Sequence, residues 1–68
     1  MSIDNPDNIT VMRVKSIRAQ TGLSQRAIAE RYHIPQRTWE SWEMGDRQPP
    51  AYVLDLLERV VALEFPGK

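Results

Sequence analysis

Apolar residues recur at helical spacing in four stretches of the chain, and no stretch shows the period-two alternation of a half-buried strand. The first stretch is Val11, Val14 and Ile17, with Met12 beside them and basic residues on the other face. Thr10 is a good N-cap for this helix, and Gly22, after Gln20-Thr21, reads as its stop in left-handed conformation. Residues 1–9 carry Asp, Asn and Pro, with Ile3 and Ile9 as the sizeable apolar residues after Met1. They read as a flexible N-terminal tail, which leaves 10–65 as the domain.

Ser24 is the N-cap candidate for a second, short helix from Gln25 to about Tyr32, with Ile28, Ala29 and Tyr32 inward at i, i+1 and i+4. Ile34 precedes Pro35, which disfavours helical geometry at Ile34, while Pro35 suits the first turn of a helix because it has no N–H to leave unpaired. His33 must then carry the turn, and histidine tolerates a positive φ better than most side chains. A third helix runs from Pro35 or Gln36 to Met44 and stops at Gly45. After the loop Asp46-Arg47-Gln48-Pro49, Pro50 opens a fourth helix through Tyr52, Val53, Leu54, Leu56, Leu57, Val60, Val61 and Leu63, which Pro66 and Gly67 end.

The turn His33-Ile34-Pro35 joins the middle helices so tightly that they must cross steeply, and a small side chain is needed where their backbones approach. Ala29 sits four residues before the turn and supplies it; Ile28, Tyr32, Ile34 and Trp42 supply the core around it. This predicts an all-α fold, a four- to five-helix bundle with a central helix-turn-helix.

Length, charge and cysteine narrow the picture. A 68-residue chain makes one small domain, with no room for a deep cleft beside its core. Without cysteine there is neither a disulfide framework nor a thiolate metal site, so self-association is one route to added stability. No run approaches the ~18 apolar residues of a membrane span, and the start lacks a signal-peptide layout; the expectation is a soluble, cytoplasmic protein with no membrane partner. Nine Lys and Arg balance nine Asp and Glu. Residues 13–37 nevertheless hold Arg13, Lys15, Arg18, Arg26, Arg31 and Arg37 against Glu30 alone, which suggests a locally positive face.

From Val14 to Val61 the chain resembles the phage repressor/Cro-type (XRE-like) helix-turn-helix family. The resemblance rests on Ile17-Arg18, Gly22-Leu23-Ser24-Gln25, Ile28-Ala29, Ile34, Thr38, Trp42-Glu43, Gly45 and Pro49. It implies a lambda repressor-like DNA-binding domain that binds double-stranded DNA. Three positions depart from the pattern: His33 stands where the family usually has Gly, Trp39 and Trp42 where the core is usually aliphatic, and Asp46 where the loop is often basic. The resemblance also implies an ion pair between Arg18 and Glu43, tying the first helix to the end of the third.

At about 100° per residue, Gln36, Arg37, Glu40, Ser41 and Met44 share one arc of roughly 140° on the third helix, opposite Thr38, Trp39 and Trp42. The tryptophans therefore point to the core rather than forming a stacking platform. Arg pairs with two acceptors of guanine and Gln with the edge of adenine; the resemblance independently implies base contacts at Gln36, Arg37 and Ser41. Glu40 would accept from a cytosine amino group, or would repel phosphate and act as a selection against wrong sites. The start of the second helix, Ser24-Gln25-Arg26, offers N–H groups to a phosphate. The resemblance implies such a contact at Gln25, and Thr38 and Arg47 are further candidates.

On the fourth helix the apolar arc spans roughly 200°, wider than one core needs. The surplus residues, Tyr52, Leu56 and Leu63, suggest a homodimer face, unless the N-terminal tail folds back over them. Together these features point to sequence-specific DNA binding by a transcriptional regulator, a repressor in the first reading. The alternative is a protein-interaction module, such as an antitoxin holding a toxin or a domain bound to a co-regulator, or a helix-turn-helix fold without DNA binding; the neutral net charge keeps it open. One histidine, no cysteine, no clustered carboxylates and no glycine-rich phosphate loop argue against an enzyme, a metal site or a cofactor.

Overall fold

The computed structural model describes residues 6–66 and contains four helices: α1 (Pro6–Thr21), α2 (Gln25–Arg31), α3 (Gln36–Met44) and α4 (Ala51–Glu64). No strand occurs among the described residues. The fold is all-α, with four helices. Among the described residues no helix is long and apolar enough to cross a membrane.

Helix α1 packs against each of the other three helices, and α2 packs against α3. The shared core is Val14, Ile17, Ile28, Ala29, Trp39, Trp42, Leu54, Leu57 and Val61, flanked by the partly buried Leu23, Tyr32, Ile34, Val53 and Phe65. Trp39 has no exposed surface, and its ring centroid lies 5.6 Å from that of Trp42 at a tilt of 51°. Two indoles thus fill the space that a smaller aliphatic core would otherwise need several residues to fill. Both expected core assignments for the tryptophans hold.

The start of α1 differs from the expectation. The helix begins at Pro6, not at Thr10, so residues 6–9 are helical rather than tail; residues 1–5 lie outside the described part. Pro6 is suited to the first helical position because its missing N–H has no partner there anyway. The reason for the misreading is physical. Hydrophobic periodicity marks where a helix meets the core, and Ile9 is exposed, so the first turn leaves no periodic signal.

The turns follow the sequence more closely. Ser24 caps α2, its hydroxyl accepting from the Ala27 N–H at 3.0 Å. At the far end of α2 the Ile34 N–H donates to the Ala29 carbonyl at 2.9 Å and the His33 N–H to the Glu30 carbonyl at 3.3 Å. That is the paired closure of a Schellman stop, and it places His33 at the left-handed position, with φ 59°. Ala29 is itself buried, so the chain closes over a methyl group where a larger side chain would force α2 and α3 apart. Gly45 ends α3 with φ 86°, and a Cβ there would lie 3.4 Å from Val11 Cγ2.

A non-glycine residue in left-handed conformation costs about 1–2 kcal/mol, while glycine adds about 0.5–1 kcal/mol of unfolded-state entropy to be lost on folding. His33→Gly is therefore expected to stabilise the domain by up to about 1 kcal/mol, and His33→Val to destabilise it by more than that. Thermal denaturation checks both, since about 1 kcal/mol moves the midpoint of a domain this size by about 4–8 °C.

Candidate nucleic-acid interface

Helix α3 has two unlike faces. Trp39, Trp42 and Glu43 are buried, while Gln36, Arg37 and Met44 are exposed and Glu40 and Ser41 half-exposed. The five residues expected to share the outward arc therefore do so. Arg37 makes no ion pair among the described residues, whereas Gln36 Nε2 donates to Glu40 Oε2 at 2.8 Å.

What fixes this face is the carboxylate behind it. Glu43 is 6% exposed and receives Arg18 Nε at 2.6 Å, Arg18 Nη2 at 3.2 Å, Gln25 Nε2 at 3.0 Å and Trp39 Nε1 at 2.7 Å. Arg18 also donates through Nη1 to the Leu23 carbonyl at 3.2 Å. One carboxylate thereby joins α1, the first residue of α2 and α3. The pair between Arg18 and Glu43 matches the expectation drawn from the family resemblance. The Trp39 and Gln25 contacts were not anticipated, although Trp39 lies four residues before Glu43 on the same helix and its spacing permits the bond.

Burial works against the ionised form of Glu43, but the hydrogen bonds from Arg18, Trp39 and Gln25 outweigh it and hold the carboxyl below its ordinary range. The same pairing raises the Arg18 guanidinium above its ordinary value.

The phosphate candidates fall into two groups. Ser24 and Gln25 are engaged in structure: Ser24 Oγ accepts from Ala27 N, and Gln25 gives one amide hydrogen to Glu43, retaining the other. Arg26 is exposed and pairs with Glu30 one turn along, at 3.2 Å. Thr38 is half-buried and Arg47 is exposed, the latter without an ion-pair partner among the described residues.

Most of the cations counted along residues 13–37 have an acidic partner in the folded domain. Arg13 reaches Glu58 at 2.9 Å and Asp55 at 3.3 Å, Arg18 reaches Glu43, Arg26 reaches Glu30, and Arg31 reaches Glu64 at 3.0 Å. The acids that answer Arg13, Arg18 and Arg31 come from α3 and α4, far along the chain. Of the six cations in that stretch only Lys15 and Arg37 make no ion pair among the described residues. Glu64 also accepts the Tyr32 hydroxyl at 2.8 Å, and Arg31 lies over the Phe65 ring at 4.7 Å. This cluster pins the end of α4 to α2.

Tyr52, Leu56 and Leu63 are 67%, 55% and 79% exposed, so the surplus apolar residues of α4 do lie outside the core. Leu56 also borders an open apolar groove with Tyr32, Ile34, Val53, Leu57 and Val60.

A helix-turn-helix domain family model matches residues 11–64, and the chain belongs to that family. No curated protein and no solved structure gives a match. Membership indicates a DNA-binding regulatory role, with the second helix of the pair, α3, as the element such domains present to DNA.

Breaking a buried ion pair costs about 3–5 kcal/mol, but the Arg18 side chain is 32% exposed and can rehydrate. Glu43→Gln is therefore expected to cost about 2–3 kcal/mol. The folded-state carboxyl is held low, so its stabilisation is complete above the unfolded value and is lost as the pH falls through the folded one. Denaturation across acidic pH should show the wild type losing stability over that window and Glu43→Gln following a flatter profile.

Proposed function

We propose that this chain is a sequence-specific double-stranded DNA-binding domain of the phage repressor/Cro type, acting as a transcriptional regulator, with repression as the mode. It is a binding module rather than an enzyme, it needs no cofactor, and its place of work is the cytoplasm. The observation that carries the reading is the division of α3: both tryptophans and Glu43 hold one face to the core, while Gln36, Arg37, Glu40 and Ser41 stand together on the other. An α-helix fits the major groove, and these side chains are of the types that read base edges there. Arg37, which makes no ion pair among the described residues, is assigned to guanine. Arg26, Thr38 and Arg47, with Ser24 and Gln25 at the start of α2, are assigned to phosphates, which set register without reading sequence.

The domain works as a homodimer, with Tyr52, Leu56 and Leu63 of α4 in the contact. A two-fold dimer would read a palindromic site with half-sites about one helical turn apart. The same exposed face supports the second reading, a module whose partner is a toxin or a co-regulator.

Two measurements separate these readings. Selection from a randomised duplex pool should enrich a palindromic site for the wild type, and Arg37→Ala should weaken that site by about 1–3 kcal/mol and relax one base position. With so few unpaired cations, the fall of log K with log salt should be shallow, a slope of about −2 to −3 per chain; absence of duplex binding at low salt would favour the protein-partner reading. Sedimentation should show a dimer that Leu56→Glu converts to monomer with the helical content retained, and a monomeric wild type would overturn the dimer.

A further inference from the structure

Gln36 and Glu40 are one turn apart on the outward face of α3, and the amide nitrogen of the first donates to the carboxylate of the second at 2.8 Å. A carboxylate accepts only, so the amide must turn its nitrogen toward it; the alternative rotamer would set two acceptors against each other. Arg37 sits beside this pair and is not drawn into it, since no ion pair joins Arg37 to Glu40 among the described residues. The Glu40 carboxylate thus has one oxygen in use and no ion-pair partner among the described residues. In the groove it can be satisfied only by a donor.

The geometry points to Glu40 as the residue that sets the base preference of this domain at two neighbouring positions, by orienting Gln36 for adenine and by demanding a base amino group for itself. This rests on the reading of α3 as the groove-entering helix. Gln36 carries two amide hydrogens. One is held by Glu40, which leaves Oε1 to accept from adenine N6 and the second hydrogen to donate to adenine N7, the two-bond pairing of glutamine with that base. Glu40 itself keeps an oxygen free. The donors on major-groove edges are the amino groups of cytosine and adenine, whereas guanine shows O6 and N7, both acceptors. A guanine facing Glu40 would therefore meet an uncompensated carboxylate, and the same charge disfavours phosphate contact when α3 is out of register. Glu40 thus acts both through Gln36 and on its own account.

The combination separates this role from a plain helix-surface pair, which would support α3 by only a few tenths of a kcal/mol and would not affect which base is chosen. It also separates it from a residue that reads one base independently, because here a single substitution alters two base positions.

The test is selection from a randomised duplex pool, followed by binding titrations on single-base variants of the enriched site, for wild type, Gln36→Ala, Glu40→Ala, Glu40→Gln and the double variant Gln36→Ala with Glu40→Ala. Circular dichroism of each confirms that α3 is retained; both side chains lie on the solvent face, so folding is not at stake. Wild type should prefer adenine at one position and a base with an amino group at its neighbour, each by roughly five- to a hundredfold over the poorest base. Glu40→Ala should lose both preferences, Gln36→Ala only the first, and the double variant should be no worse at the adenine position than either single one. Glu40→Gln, which can donate as well as accept, should admit guanine at the second position. If the wild type selects a site and Glu40→Ala leaves the adenine preference intact, Glu40 does not orient Gln36 and the assignment is overturned while the groove reading stands. If no variant, wild type included, binds duplex DNA at low salt, the groove reading falls and this assignment falls with it.

Discussion

A carboxylate taken out of water must find its full complement of donors inside the protein, and in this domain that requirement ties α1, the start of α2 and α3 together. Glu43 is answered by Arg18 from α1, Gln25 from the first residue of α2 and Trp39 from its own helix. No subset of these elements satisfies it alone. The carboxylate therefore adds a polar constraint to the apolar core that α1, α2 and α3 share. A pair of this kind contributes little net stability, because desolvation offsets much of the attraction. It sits in the arrangement that turns Gln36, Arg37, Glu40 and Ser41 outward.

The core and the interface are thus two sides of one helix. On α3 the buried face is unusually bulky, with two indoles in contact, and bulk of this kind leaves few ways to rotate the helix about its axis. A face held so firmly can present a fixed set of donors and acceptors to a partner, so less order has to be gained on binding. The turn that precedes it is held with equal care. His33 accepts a left-handed backbone so that Ile34 can close on Ala29, and the residue cost is offset by the tight crossing that results.

Much of this was legible in the chain itself, for reasons that differ by residue. Ser24, Gly22, Gly45 and Pro35 act through local backbone chemistry, so their roles can be read without knowing the fold. The faces of α3 and α4 follow from helical periodicity, which is why Trp39 and Trp42 were placed inward and Tyr52, Leu56 and Leu63 outward. Two things were out of reach. Periodicity puts the start of α1 at Thr10, four residues late, because the exposed Ile9 gives it no core-facing signal before that point. The ends of long polar side chains were equally hidden. Gln25 and Trp39 on Glu43, Arg13 on Asp55 and Glu58, and Arg31 on Glu64 depend on how helices cross, and a crossing is a property of the assembled core. The assignment of Arg18 to Glu43 was reached through family resemblance, not through spacing.

The pairing of the arginines has a consequence for how such a protein would spend its time among long nucleic acids. Arg13, Arg18 and Arg31 are turned to acids of the same chain, so these three offer less of a general attraction to phosphate than their number implies. A regulator built this way would be held less tightly by the excess of unrelated sequence than one whose arginines were all unpaired. Occupancy of its proper site would then follow the amount of protein made more closely, with less buffering by the chromosome, and a change in synthesis would be felt more directly at the target.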